Sequence, residues 1–324
     1  MALTQFINTK EFIKLLLLSL PGAIVAAITL QSFWLLATLY SAVVIIPHAQ
    51  HQNNVIAIIK LIVLFLVTIL LSHWAQHHVT YFIIFLLVLS IPLGIMERYN
   101  DSFRTIGAWI FIGLIYTSFE ITPFTGTLTA SKVISLFIVS LAGVIIALIA
   151  HRILFKHEKH YHPQIYFCWQ DIPSYFIYFL PLLITLLIWV NFPINEAQWL
   201  IWSSLSVAYF SFRQSVNKIK QRTTGLVVGL AIGLIYIHFY PHSNIYITSI
   251  AFIFVIISLK GFEHYTLAFA IRCFAVIAIA GPSFIGPGSA RFVDVIIGGV
   301  IGVISSAILS STQKYSLRHS NKKN

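Results

Sequence analysis

The sequence predicts an all-α, polytopic integral membrane bundle of about 12 transmembrane helices in two six-helix parallel repeats. Three observations carry that reading. Of 324 residues, 58% are hydrophobic and 9% are charged, against roughly 25% charge in a soluble globular chain. Uncharged runs cover 15–59, 61–96, 133–151, 172–195, 223–259, 273–290 and 295–313; a spanning helix needs about 20 apolar residues, so the longest runs hold two each. The basic residues also fall on alternate connections, as cytoplasmic loops require. A soluble enzyme, a secreted disulfide scaffold and a disordered tail are thereby excluded. The two cysteines, Cys168 and Cys273, supply neither a disulfide framework nor metal-ligand spacing.

Open strands would leave backbone groups unsatisfied in lipid, and no period-two alternation runs through these segments, so helices are expected. The first span, 12–30, begins like a signal peptide, with Lys10 and Lys14, then Leu15–Leu18, then Ala23, Ala26 and Ala27. Its apolar stretch continues through Ile28–Leu30, so it reads as an uncleaved helix. Spans 32–47 and 54–72 follow on either side of Pro47. Spans 80–95 and 102–119 flank the polar stretch from Glu97 to Arg104, and 132–154 follows Pro123. The second set is 173–190, 197–212, 223–240, 244–259, 264–281 and 291–311, punctuated by Pro193, Pro241 and the Gly281-Pro282 to Gly288 stretch. Spans near 16 residues must borrow flanking polar residues or cross only partly.

With the N-terminus cytoplasmic, 17 basic residues fall on or near the inner side, 2 (Lys132 and Arg291) outside, and Arg272 within a span. This bias places both termini in the cytoplasm; a bacterial inner (cytoplasmic) membrane is the expected location. The formal charge of +11 is then a topological signal. No basic run with interleaved aromatics marks a nucleic-acid surface.

The polar connection 152–171 divides the chain. The expected parts are a first membrane half-repeat at 1–155, a cytoplasmic linker at 156–171, a second half-repeat at 172–312 and a basic cytoplasmic tail at 313–324. Trp34-Leu-Leu-Ala-Thr-Leu lies on Trp199-Leu-Ile-Trp-Ser-Ser-Leu at an offset of 165, and Lys132 to Gly143 lies on Arg291 to Gly302 at an offset of 159. Their shared order suggests a duplication. An even number of helices per half makes the repeats parallel.

Gly225, Gly229 and Gly233 form overlapping small-xxx-small steps on one helix face, and Gly298 and Gly302 form another. Such spacing brings helix backbones together in lipid. Arg222 precedes Gly225 by three residues, as Arg291 precedes Asp294, giving Arg222, Gly225, Gly229 and Arg291, Asp294, Gly298. In these residues the chain resembles the fusaric acid resistance and aromatic acid exporter family, whose signature is Arg-x-x-(Gly/Asp)-Thr-x-x-Gly at the start of membrane helices. The threonine of that signature is Leu226 and Val295 here, so the resemblance does not carry over a hydroxyl. The connection 152–171 is also too short for the large cytoplasmic domain of many members. The resemblance implies export of aromatic carboxylic acids and, in many cases, work with a periplasmic adaptor.

Arg291 and Asp294, at i and i+3, can pair on one face and anchor the helix end, or Arg291 can offer a forked donor to a substrate carboxylate. Arg222 reads either as part of a cytoplasmic cluster or as an anion ligand. Arg272 lies about eight positions into its span; it either snorkels from a misplaced boundary or binds an anion at depth. Coupling needs a group that gains and loses a proton. Among Glu97, Asp101, Glu120, Glu263 and Asp294, the last is best placed, inside the final helix beside Arg291.

His73, His77 and His78 have no Cys, Asp or Glu nearby in sequence to complete a metal shell, and His157, His160 and His162 read as a solvated loop. Trp34, Trp74, Trp169 and Trp199 lie near span ends, as an interfacial belt would place them. No metal and no cofactor are expected, and no phosphate-binding glycine loop with its Lys appears. The leading expectation is a secondary transporter of small organic anions rather than an enzyme. Its partners would be the solute and the bilayer, with a periplasmic adaptor and a second copy of the chain both admissible. A membrane-embedded scaffold is the next reading. An intramembrane enzyme comes last, because no His-Glu-x-x-His, adjacent acid pair or nucleophile elbow is present.

Overall fold

The structure, a computed structural model, describes residues 6–48, 54–99, 111, 113–115, 117–119, 129–155, 172–192, 194, 197–240, 242, 244–281 and 287–320. Within them, the side chains of 96–99, 173–174, 287–291 and 313–320 are left aside. The expected linker 156–171 and much of the expected span 102–119 lie outside the described residues.

Among the described residues the chain is helical, with no strand. In chain order the helices are α1 (Thr9–Thr29), α2 (Leu35–Ile45) after a 3-10 turn at Ser32–Trp34, α3 (Asn54–His77), α4 (Val79–Tyr99) and α5 (Ala130–Leu154). They continue with α6 (Ile172–Tyr175), α7 (Phe179–Asn191), α8 (Ala197–Val207), α9 (Phe212–Phe239), α10 (Ile245–Ile257), α11 (Tyr265–Ala280) and α12 (Pro287–Ser320). Among the described residues, five stretches are long and apolar enough to cross a membrane: Thr9–Thr29, Asn54–His77, Ala130–Leu154, Phe212–Phe239 and Phe292–Thr312. The helical membrane-type bundle is as the sequence predicts.

The lengths differ from the expected spans in an informative way. Helices α2 and α8 have 11 residues each, about 16 Å of rise against a hydrocarbon core of about 30 Å. Both are enclosed by protein: ten residues of α2 and eight of α8 are buried. Conversely, α9 begins at Phe212 and takes Arg213, Lys218, Lys220 and Arg222 into the helix, where a connection over 213–222 was expected. No Gly or Pro interrupts that stretch, so nothing stops the helix from growing outward. Helix α12 likewise runs on through the first basic residues of the expected tail, to Ser320.

The chain forms two compact units, one from 1–72, 117–160 and 221–289, the other from 73–116, 161–220 and 290–324. Each takes residues from both sides of the linker. In the first unit, small residues let α1, α2 and α5 close up. A Cβ on Gly22 would lie 2.8 Å from the Trp34 carbonyl, and one on Gly143 would lie 2.6 Å from the Ser41 hydroxyl. Ser41 itself donates to the Ser140 carbonyl at 2.8 Å, and Tyr40 stacks on Phe65 at 4.1 Å. Small faces and interhelical hydroxyl bonds are the means of helix association where lipid offers no hydrophobic drive.

The second unit packs by the same means. A Cβ on Gly298 would strike the Leu200 carbonyl, and one on Gly302 would lie 2.5 Å from the Ser204 carbonyl. Gly298 and Gly302 thus climb α12 in the order in which Leu200 and Ser204 climb α8, so the two helices run parallel. The non-helical residues after α8 are pinned by Ser306, which accepts from the Tyr209 N–H at 2.9 Å and from the Ser215 hydroxyl at 2.8 Å. Irregular backbone in a membrane bundle needs such internal satisfaction.

Candidate functional site

The glycine stripe of α9 faces α11. A Cβ on Gly225 would lie 2.7 Å from the Thr266 carbonyl and 3.1 Å from the Phe269 side chain. On Gly229 it would meet the Ala270 carbonyl and, at 2.7 Å, the Cys273 Cβ; on Gly233 it would reach the Ile277 side chain at 2.5 Å. The contacts ascend both helices together, so α9 and α11 are parallel and nearly backbone to backbone.

This close approach assembles a cationic cluster. Arg222, one turn before Gly225, is 5% exposed and its guanidinium carbon sits 4.5 Å from the centroid of Phe269. Its Nη1 donates to the Tyr265 hydroxyl at 3.4 Å. Arg272 is 7% exposed and its guanidinium carbon lies 5.7 Å from the same ring. Two permanent cations therefore share one aromatic platform, a favourable placement for each against the ring quadrupole. Tyr265 stacks on Phe269 at 6.0 Å, extending the platform.

Arg272 begins about 10 Å along α11 from its first residue, and its side chain turns back toward that end, as helical side chains do. There Nε donates to the Ser258 hydroxyl at 3.0 Å and Nη2 to the Ser258 carbonyl at 2.9 Å. Ser258 closes α10, so the guanidinium satisfies carbonyl-end dipoles that favour a cation. The Ser258 hydroxyl itself donates to the Val255 carbonyl at 2.6 Å. The side chain does not reach free solvent.

Of the sequence candidates, Arg222 and Arg272 are brought together in the first unit. Arg291 and Asp294 belong to the second. Arg291 lies near the start of α12, with its side chain outside the described residues, and Asp294 is half-buried on the same helix. The next residue, Val295, has its carbonyl taken by the Ser203 hydroxyl of α8, so this part of α12 is fixed against α8 where Gly298 allows contact. Phe269, Tyr265 and Ser258 were not among the candidates. The first two share a face with Arg272 at spacings of three to seven residues, a signal available in the sequence. Ser258 lies on another helix and gives no such signal.

Motif, glycine stripe and cluster all fall in one part of the chain. Residues 173–305 match the family model described as fusaric acid resistance protein-like. No curated protein and no solved structure matches the chain. The fusaric acid resistance protein-like match covers Arg222, Arg272, Arg291 and Asp294 together with all five motif glycines. The match spans less than half of the chain; with the helices long and apolar enough to cross a membrane, it is consistent with a helical membrane protein similar to that family over this part.

Proposed function

We propose that the protein is a secondary transporter that exports small organic anions, aromatic carboxylates first among them, from the cytoplasm across a bacterial inner membrane. The observation that carries the reading is the pair of buried guanidinium groups, Arg222 and Arg272, against the ring of Phe269. Arginine is charged at every working pH and forks to meet a carboxylate in two bonds. An aromatic platform beside it suits a planar solute ring. Charged groups within membrane bundles mark solute pathways more often than packing.

The cluster lies where α10 ends and α11 begins, the end that the basic-residue bias assigns to the cytoplasm, so solute would load from that side. Asp294 would gain and lose the coupling proton on α12, and Arg291 would offer its fork to the anion. Partner subunits, including a periplasmic adaptor, belong to the same reading.

A second reading is favoured by one observation. Arg272 spends two donors on Ser258, as a residue would in a scaffold that moves no solute. Accumulation of labelled benzoate in cells separates the two. Export predicts low accumulation with wild type and high accumulation with Arg272→Ala, Arg291→Ala or no protein. Equal accumulation in all four leaves only the scaffold.

A further inference from the structure

The connection between α10 and α11, residues 258–264, is gripped from two sides. Arg272 holds one side through Ser258. The chain's N-terminal segment holds the other. The Asn8 N–H donates to the Gly261 carbonyl at 3.1 Å, and the Glu263 N–H donates to the Phe6 carbonyl at 3.0 Å. Ile7 and Phe262 form an antiparallel bridge between these bonds. Phe12 meets Phe262 edge-on at 6.2 Å. A Cβ on Gly261 would lie 2.8 Å from the Ile257 carbonyl, so glycine is needed against the end of α10, and the Phe12 Cα of α1 comes within ordinary contact at 3.4 Å.

At the middle of this contact is Glu11, a carboxylate only 7% exposed. It pairs with Lys14 at 2.7 Å and with Lys260 at 3.5 Å. A buried carboxylate is costly unless compensated, so its position demands explanation. The two pairs differ in kind. Lys14 is on α1 with Glu11, is 3% exposed and moves with the helix. Lys260 belongs to the turn, and its side chain is 43% exposed.

We propose that Glu11, acting through Lys260 and the strap of residues 6–8, is a positioning residue for Arg272. It fixes the 258–264 turn so that the carbonyl and hydroxyl of Ser258 meet the guanidinium, and this sets where the guanidinium presents itself to a carboxylate. The inference rests on the reading that Arg272 holds the solute. Removing the Lys260 charge leaves Glu11 compensated by Lys14, whereas removing the Glu11 charge takes from the buried Lys14 its carboxylate at 2.7 Å. Lys260→Met is therefore the diagnostic variant, and Glu11→Gln the one that can fail to fold.

The test uses the full chain in proteoliposomes, with labelled benzoate as probe, alongside hydrogen exchange at the amides of Asn8 and Glu263. Lys260→Met is expected to speed exchange at those two amides about three-fold, as loss of a half-exposed ion pair should, and to raise the apparent KM about three-fold with Vmax held. Lys260→Arg is expected to restore both. An unchanged KM in Lys260→Met beside a raised KM in Arg272→Lys overturns the proposal and leaves the solute site standing. A lowered Vmax at constant KM also overturns it, as an effect of general loosening. An unchanged KM in Arg272→Lys sinks the solute site and this inference with it.

Discussion

The carbonyl of Ala270 occupies the place that a Cβ at Gly229 would take. That single relationship sets the spacing of α9 and α11, and with it the distance at which Arg222 meets Phe269. Gly229→Ala cannot be absorbed by a flexible side chain, because the obstacle is backbone. Overpacking of this kind costs about 1–3 kcal/mol. The expected outcome is a lower thermal midpoint in detergent, with weaker benzoate transport in the fraction that remains folded. Gly299→Ala is the control, since a Cβ there would meet the Ile219 side chain at 3.2 Å, which can shift, and the Ser203 hydroxyl at an ordinary 3.6 Å; its midpoint should stay near wild type.

Arg272 carries two roles that substitution can separate. Arg272→Met removes the charge and leaves the Ser258 carbonyl without its donor, a loss of about 1–3 kcal/mol for a buried acceptor. Arg272→Lys keeps a cation with donors on a single nitrogen but loses the planar fork. The lysine variant should therefore recover most of the midpoint lost by methionine while still failing to bind benzoate at wild-type affinity. Thermal unfolding and transport kinetics measured on the same preparations check this. Parallel losses in both assays would make Arg272 a cap on α10 and nothing more.

The bundle was legible in the sequence because lipid imposes it: with charge at 9% and apolar runs of this length, helices are the available way to satisfy the backbone. The glycine stripe was legible for the same reason, since its spacing is a property of one helix. What spacing could not show was the face opposite. Phe269 is recognisable as a platform only once α9 lies against α11, and Ser258 is 14 residues from Arg272 on another helix. Glu11 was hidden by a local role. Asn8 accepts from the Glu11 N–H at 3.2 Å, an ordinary helix start, and a charged residue in a first turn reads as solvated. Arg222 was blurred by its neighbours: Arg213, Lys218 and Lys220 suggested a basic connection, and the helix through them became evident only in the fold.

Ser306 is the point on which the irregular backbone after α8 depends. It receives the Tyr209 N–H and the Ser215 hydroxyl and donates to the Gly302 carbonyl at 2.9 Å. Ser306→Ala removes a partner from two donors at once, for a cost of about 2 kcal/mol or more. Hydrogen exchange should rise at Tyr209 first, with amides in the middle of α5 unaffected. Ser306→Cys, which fills the same space but bonds weakly, should fall between alanine and wild type.

Asp294 offers the sharpest test of coupling because its helix is held while its carboxylate is half-buried. Ser203 ties the next residue to α8, so Asp294→Asn changes a charge and a proton site with little change in packing. If the carboxylate carries the coupling proton, the asparagine variant should still equilibrate benzoate down its own gradient. It should no longer concentrate benzoate when a proton gradient is imposed across proteoliposomes. The wild type should do both. Asp294→Glu keeps the titratable group one methylene further out and should retain part of the concentrating activity. Full gradient-driven accumulation by the asparagine variant would move the coupling site elsewhere, because an amide cannot exchange a proton in this pH range while every other group on α12 is unchanged.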